Sequence, residues 1–250
     1  MKESKRVIRQ IIILAVLLII TVFGFELIVE DLYSLFKMSH VYESTYHAIN
    51  LPLLTWQHIV MSFGGCFCSI VIGMAIGIFA TTAFGREFQP LIEKMMSLFQ
   101  AIPTIGFLSV LIPVFGFGVM PGIIVLVISG IMPIVFSTIT GINNTPEDLV
   151  EVGQSVGMKK WELFFRVKVP SAIPVIVAGL RTTSVIIVGC ATLAAITGAG
   201  GLGQPIFSAG IRGFDPVKLL EGTIPVTLLA LLVDRIFEYV EIRATRSFSQ

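Results

Sequence analysis

The amino-acid sequence predicts an all-α integral membrane protein with six transmembrane helices. Of its 250 residues, 55% are hydrophobic and only 13% are charged, whereas soluble domains carry roughly 25% charged residues. The mean hydropathy is +0.92. A single protein core cannot enclose an apolar excess of this size, so the remaining apolar surface is expected to face lipid. The composition therefore argues against a soluble enzyme.

Six stretches are long and apolar enough for an α-helix to cross the hydrocarbon layer, which takes about 20 residues. They are residues 8–29, 58–82, 95–115, 119–142, 171–196 and 219–240. The first stretch follows basic residues, as a secretory signal does, but Phe23, Phe25 and Glu26 stand where a small-residue cleavage site would lie. We expect it to be retained as an anchor. Pro103, within the third stretch, can kink a helix there.

The basic residues predict the orientation, because loops rich in Lys and Arg stay in the cytoplasm. With the N-terminus inside, the inner flanks hold Lys2, Lys5, Arg6, Arg9, Arg86, Lys94, Lys159, Lys160, Arg166, Lys168, Arg243 and Arg246, and the outer flanks hold Lys37, Arg212 and Lys218. Both termini are therefore predicted to be cytoplasmic. Arg181 and Arg235 lie within the last two stretches, where we expect their long side chains to reach the inner interface.

The segment 30–57 is expected outside the membrane. Its aromatic residues suit an interfacial belt; they are Tyr33, Tyr42, Tyr46 and Trp56. The histidines, His40, His47 and His58, lack cysteines or carboxylates at ligand spacing, so we expect them to be solvated or interfacial. Cys66, Cys68 and Cys190 lie in apolar stretches and suggest neither disulfides nor a metal site. The net charge of +1 argues against a nucleic-acid partner.

Residues 143–170 form the most polar inner segment and predict a helix–turn–helix. Thr145 is expected to cap the first helix, with Pro146 at its first position and Asp148 at capping-box spacing. Gly157 permits a left-handed turn that ends this helix. The second helix would place Lys159 and Lys160 toward water and its aromatic residues, Trp161, Phe164 and Phe165, on the other face, until Pro170 breaks it. Periodicity leaves two interpretations open: a segment on lipid headgroups or a docking element for a cytoplasmic partner.

The spacing within this segment resembles a family motif. Glu151, then Gly157 six positions later, then Val167, Val169 and Pro170 resemble the EAA loop, E-A-A-x3-G-x9-I-x-L-P, of permease subunits of binding-protein-dependent ABC importers. In that family the loop forms the coupling helix that sits in a groove of the ATPase subunit. The resemblance implies the same role here and favours the docking interpretation.

The match has departures. Val152 and Gly153 replace the two alanines of the motif. A glycine weakens a helix by about 1 kcal/mol relative to alanine, although it also lets another chain segment approach closely. The implied coupling residues are Glu151, Gly153, Gly157, Trp161, Phe164 and Pro170.

The resemblance extends over about residues 56–242. In this region the chain is similar to the osmoprotectant branch of the family, which imports glycine betaine, carnitine or choline. The segments that carry it are 100–104, 111–118, 132–135, 140–142, 174–183 and 191–203. It implies a type I ABC importer permease fold in a bacterial cell membrane. The implied partners are two ATPase subunits that use ATP and Mg²⁺, a second permease subunit, identical or similar, and an external substrate-binding protein.

The predicted organisation has three parts. Residues 1–57 form the anchor helix and external loop, 58–242 the permease core with its coupling loop at 143–170, and 243–250 a cytoplasmic tail. The chain has no P-loop and none of the common hydrolase signatures, so we expect no catalytic, cofactor or metal residues and ATP hydrolysis by a partner. Substrate-binding residues are not identified.

The sequence 198–203 satisfies the dinucleotide fingerprint G-x-G-x-x-G, but it ends a predicted membrane helix rather than following a strand. Its glycines, Gly198, Gly200, Gly201 and Gly203, are interpreted as either a gate or a simple turn. In the last stretch, Arg235 and Glu238 are three apart and are expected to pair along one helix face beside Asp234, chiefly in a structural role.

Three alternatives remain. The chain could be a permease for another small solute, such as an amino acid. A secondary transporter would need acidic residues near mid-membrane, and residues 58–196 carry acids only in the predicted inner loops. A membrane enzyme is the weakest alternative, because a catalytic set is lacking.

Overall fold

The computed structural model describes residues 2–36, 49–210 and 214–248. Within these ranges the regular secondary structure is helical, as predicted. The α-helices are α1 Lys2–Leu35, α2 Leu51–Thr81, α3 Gln89–Ala101, α4 Thr104–Phe115, α5 Val119–Asn143, α6 Glu147–Ser155, α7 Lys160–Leu163, α8 Val169–Leu193, α9 Gly203–Ser208 and α10 Pro216–Phe248. Short 3₁₀ turns lie at Gly85–Glu87 and Ala194–Thr197, and a π-helical turn spans Phe164–Lys168.

Five helices are long and apolar enough to cross a membrane: α1, α2, α5, α8 and α10. They coincide with five of the six predicted stretches. More than half of the described side chains of α1 are exposed, and most of the exposed ones are apolar, including Ile12, Ile20 and Leu27. Such a surface is stable only against lipid or another apolar chain. The chain is therefore a membrane-spanning protein.

The third predicted stretch, 95–115, is not one continuous helix. It falls on α3 and α4, whose axes differ by 88°. Pro103 lacks a backbone N–H and disfavours helical geometry at the residue before it, and Ile102 is accordingly extended, with φ −81° and ψ 121°. The proline therefore separates two helices, where the sequence had indicated only a kink.

Helices α2 and α5 pack closely and run parallel. A small residue occurs at every fourth position of α2, which places these residues on one helix face. Each faces a residue 61 positions later in the chain; the pairs are Gly65–Leu126, Ser69–Gly130, Gly73–Ile134 and Gly77–Thr138. Because the offset is constant, the two helices point in the same direction.

Contacts between helix termini define the two ends of the bundle. At one end, which we call the loop end, Asn143 Nδ2 donates to Gln89 Oε1 at 3.4 Å, so α5 ends where α3 begins. At the opposite end, Gly118 N donates to Thr197 O at 2.6 Å, so α5 begins where α8 has ended. The bent pair of α3 and α4 therefore leads from the loop end back to the opposite end.

The opposite end also joins α1 to α10. The Tyr33 hydroxyl donates to Asp215 Oδ2 at 2.7 Å. Asp215 Oδ1 in turn accepts hydrogen bonds from Val217 N and Lys218 N, both at 3.1 Å, and so caps the start of α10. Since α1 ends here and α10 begins here, the beginning of α1 and the end of α10 both point toward the loop end.

Two residues predicted at the membrane interface are buried instead. Tyr33 is fully buried, and the hydrogen bond from its hydroxyl to Asp215 offsets the cost of burying that polar group. His58 is also fully buried, with Nε2 3.0 Å from Val188 O. These two predictions were wrong. Trp56 is exposed, in keeping with an interfacial position, while the predictions for Lys37, His40, Tyr42, Tyr46, His47 and Arg212 fall outside the described residues.

Candidate functional site

The segment 143–170 forms a helix–turn–helix, but its start differs from the prediction. Thr145 does not cap α6: its hydroxyl donates to Ile142 O at 2.9 Å and so closes the end of α5. Pro146 precedes α6 instead, and its carbonyl accepts from Leu149 N at 3.2 Å. Glu147 and the residue after it place negative charge at the helix N-terminus, which the helix dipole favours.

The end of α6 has the predicted left-handed turn. Gly157 has φ +80°, a conformation that costs other residues about 1–2 kcal/mol. Its N–H donates to Gln154 O at 2.9 Å, and Met158 N donates to Gly153 O at 3.1 Å. This pair of bonds is the Schellman motif, which satisfies the last carbonyls of a helix. Gly157 itself faces open space, so backbone conformation alone requires a glycine here.

Gly153 brings the two arms of the loop into contact. It is buried, and a Cβ atom at this position would lie 2.4 Å from Leu163 Cδ1. Leu163 is itself buried. The glycine that replaces alanine in the motif therefore lets the side chain of Leu163 rest directly on the backbone of α6.

The surface of the loop carries an unusual share of exposed apolar side chains. We call this set the loop patch; its members, between 46% and 68% exposed, are Leu149, Val152, Val156, Trp161 and Phe165. Glu151 is exposed beside them. Phe164 turns the other way and packs against Ile142, Ala172 and Ile176. Of the two aromatic residues expected to contact a partner, Trp161 is exposed and Phe164 is partly buried.

The second arm of the loop continues into a membrane-spanning helix without a break. The sequence predicted that Pro170 would end this arm, but helical structure runs from Lys160 to Thr197. Pro170 is the second residue of α8 and directly follows the π-helical turn Phe164–Lys168, where the regular α-helical hydrogen-bond ladder is already interrupted. This π-helical turn joins α7 to α8. A displacement of the loop would therefore act directly on α8.

In the glycine turn at the opposite end, Gly200, Gly201 and Gly203 are tightly packed, whereas Gly198 faces open space. Gly198, Gly200 and Gly201 all have φ near +80°. Gly201 N donates to Gln57 Oε1 at 3.1 Å, and a Cβ on Gly200 would lie 2.3 Å from the same oxygen. A Cβ on Gly203 would lie 2.0 Å from Thr192 O. A cavity of about 480 Å³ opens beside this turn. The geometry is compatible with either interpretation, gate or turn.

The sequence did not predict the ion-pair cluster between α8 and α10. Arg235 and Glu238 pair as expected. Arg181, which was expected to reach the inner interface, binds Asp234 through two hydrogen bonds of 2.6 and 3.0 Å and Glu241 through one of 3.2 Å. The available signal was that ionisable residues of opposite charge occur in the inner halves of two consecutive predicted helices.

Comparisons with known proteins agree with this architecture. Residues 73–246 match the protein family described as "Binding-protein-dependent transport system inner membrane component". The carnitine transport permease protein OpuCB of Listeria monocytogenes is 36% identical over 196 residues, covering 78% of this chain and 88% of its own. The glycine betaine/carnitine/choline transport system permease protein OpuCB of Bacillus subtilis (strain 168) is 32% identical over 191 residues, covering 76% and 87%.

Solved structures share the fold. A chain of the MetNI methionine ABC transporter, solved in inward facing conformations, superimposes with a TM-score of 0.70 at 20% identity, covering 79% of this chain and 99% of that one. A helical bundle of this kind, with the EAA-type loop at one end and a family match over most of its length, leaves one assignment. The chain belongs to the family of inner membrane components of binding-protein-dependent transport systems.

Proposed function

We propose that this chain is the permease subunit of an ABC importer that moves an osmoprotectant-type solute into the cell: glycine betaine, carnitine, choline or a similar quaternary ammonium compound. The observation that carries the proposal is the loop at 145–170, with its exposed apolar patch and unbroken continuation into α8. The names of the relatives supply the solute class. A separate ATPase subunit provides the energy, because the sequence has no P-loop.

Docking of the ATPase uses the loop patch. Exposed apolar side chains rimmed by charge are typical of protein interfaces, and tryptophan is prominent among residues that contribute most to binding. Trp161 and Val156 would enter an apolar groove, while Glu151 faces a basic residue of the ATPase. Gly153 and Gly157 fix the angle between the two arms, and Pro170 lies in the first turn of α8, the helix that receives the motion. Closure of two ATPase subunits on ATP would then move the helices as rigid bodies.

The proposed topology has six crossings with both termini in the cytoplasm. The parallel alignment of α2 and α5 requires an odd number of crossings between them. The contacts of Gln89 at the loop end and Gly118 at the opposite end support a crossing by the bent pair. The Tyr33–Asp215 hydrogen bond supports an N-terminus on the same side as the loop. The basic flanks indicate that this side is cytoplasmic.

The other two proposed partners are the substrate-binding protein and a second permease subunit, and each would contact a different surface of the bundle. The substrate-binding protein would deliver solute at the opposite end, where the glycine turn Gly198–Gly203 borders the cavity and acts as a gate. In the described part of the chain, α3 has no buried residue and α4 has only Leu108. These helices expose apolar side chains such as Leu98 and Val110. A second permease subunit would cover part of this surface, with lipid covering the rest.

The test compares two glycines. Gly157→Ala and Gly64→Ala each add one methyl group in open space, but only Gly157 has a positive φ. In a reconstituted complex of permease, ATPase and binding protein, we expect Gly157→Ala to lower solute uptake per ATP hydrolysed several-fold, since the loop angle changes. Gly64→Ala should behave as the unmodified protein. Equal coupling in both variants would contradict the docking role.

Two further measurements address class and solute. Affinity purification of the chain from membranes should bring down an ATPase subunit, which a secondary transporter would not do. Uptake of radiolabelled glycine betaine should be competed by carnitine and choline. Competition by an amino acid instead would support the alternative of an amino-acid importer.

A further inference from the structure

Arg181 lies where the loop-bearing helix meets the last helix. It is twelve residues after Val169, the start of α8, and therefore about 18 Å along the helix axis at 1.5 Å per residue. Its guanidinium binds both carboxylate oxygens of Asp234, with Nε 2.6 Å from Oδ1 and Nη2 3.0 Å from Oδ2. A two-point contact of this kind fixes orientation as well as distance.

The acidic partners form a column on α10. Asp234, Glu238 and Glu241 are spaced i, i+4 and i+7, which places them on one face of the helix. Arg181 reaches all three: Nη1 is 3.2 Å from Glu241 Oε2 and Nη2 is 3.6 Å from Glu238 Oε2. Arg235 also pairs with Glu238, but both residues belong to α10. Arg181 thus links two helices, whereas Arg235 stays within one.

The two helices are held differently along their length. Toward the opposite end, Val188 of α8 packs with Leu229 of α10 in an apolar cluster. Beside this contact a cavity of about 250 Å³ lies between α2, α8 and α10, lined on two sides by Ser184 and Val233. On the loop side of the cavity, the ion pairs of Arg181 hold α8 and α10 together. Ionisable groups in membrane-spanning helices are costly and are a sign of function when they occur.

We propose that Arg181 is a positioning residue that fastens α8 to α10, so that displacement of the 145–170 loop reaches α10. The proposal rests on the proposed function. Helical continuity from Lys160 to Thr197 delivers the motion to α8. The bidentate contact with Asp234 then makes the loop-end halves of α8 and α10 move together, rather than letting α10 stay behind on the far side of the cavity.

The experiment compares Arg181→Gln with Arg235→Gln in the reconstituted complex. Both variants remove one guanidinium from the same cluster, but only the first removes the link between helices. The readout is solute transported per ATP hydrolysed, measured together with the thermal midpoint and the amount of bound ATPase. We expect Arg181→Gln to lower this ratio by about tenfold, within the range of residues that transmit coupling without touching either ligand. Arg235→Gln should leave it within about twofold, since a pair inside one helix carries no such coupling.

A charge exchange tests whether the ion pair between the two helices itself carries the coupling. Arg181→Glu combined with Asp234→Arg rebuilds one ion pair between the helices and should restore coupling toward that of the unmodified protein, above either single variant. The exchange variant also tests the proposal if Arg181→Gln fails to fold. Equal ratios for Arg181→Gln and Arg235→Gln, or an exchange variant no better than its single parents, would overturn the proposal. Failure of the unmodified chain to bind any ATPase would overturn the proposed function itself.

Discussion

The close contact of α2 with α5 gives a quantitative prediction at Gly77. A Cβ atom at this position would lie 2.6 Å from Thr138 Cβ and 3.2 Å from Val135 O. Neither atom is the flexible end of a long side chain, so Gly77→Ala must push the two helices apart. Overpacking of this kind costs about 1–3 kcal/mol, and the better helix propensity of alanine offsets about 1 kcal/mol. The expected net loss is about 0–2 kcal/mol.

This loss can be measured as a thermal midpoint in detergent. For a chain of this size 1 kcal/mol corresponds to about 2–4 °C, so Gly77→Ala should lower the midpoint by up to roughly 8 °C. Gly64→Ala lies on the same helix with open space around the new methyl group, and should leave the midpoint unchanged or slightly raised. Gly77→Ala combined with Thr138→Gly removes the clashing Cβ and should recover most of the loss. Equal midpoints for Gly77→Ala and Gly64→Ala would refute the reasoning.

Two other substitutions test the opposite end of the bundle. Tyr33→Phe removes the hydrogen bond to buried Asp215 and should lower the free energy of unfolding by about 1.5–3 kcal/mol, which is measured as a lower thermal midpoint. The control is Tyr239→Phe, which keeps the ring that faces Arg243 and should change the midpoint little. Gly200→Ala adds a methyl group 2.3 Å from Gln57 Oε1 and should lower solute uptake if the turn gates the path. Adding Gln57→Ala relieves the clash but not the cost of a positive φ, so uptake should recover only in part; full uptake in Gly200→Ala alone would contradict a gate.

The elements that depend on local sequence could be predicted. Hydropathy located α1, α2, α5, α8 and α10 because burial in lipid requires a long run of apolar residues whatever lies beside it. The turn at Gly157 could be predicted for a similar reason, since its conformation depends on the residue itself. The break at Pro103 was visible only as a kink, because average hydropathy is the same for one straight helix and for two helices at 88°.

The errors concern residues whose surroundings come from distant parts of the chain. Tyr33 and His58 have side chains that suit an interface equally well, and only Asp215 and the carbonyl of Val188 make burial favourable. Arg181 could be placed in a helix but not paired, because its partners lie more than fifty positions later. Such pairings depend on tertiary packing that no local pattern encodes.

The parallel pairing of α2 with α5 has a consequence for biogenesis. Every residue on the small-residue face of α2 meets its partner 61 positions later, as Gly73 meets Ile134. At synthesis rates of about 5–20 residues per second, the ribosome needs roughly 3–12 s to supply that partner. The bent pair of α3 and α4 is synthesised during this interval. The contact between α2 and α5 therefore forms only after α5 has been synthesised, and until then the small-residue face of α2 lacks its partner.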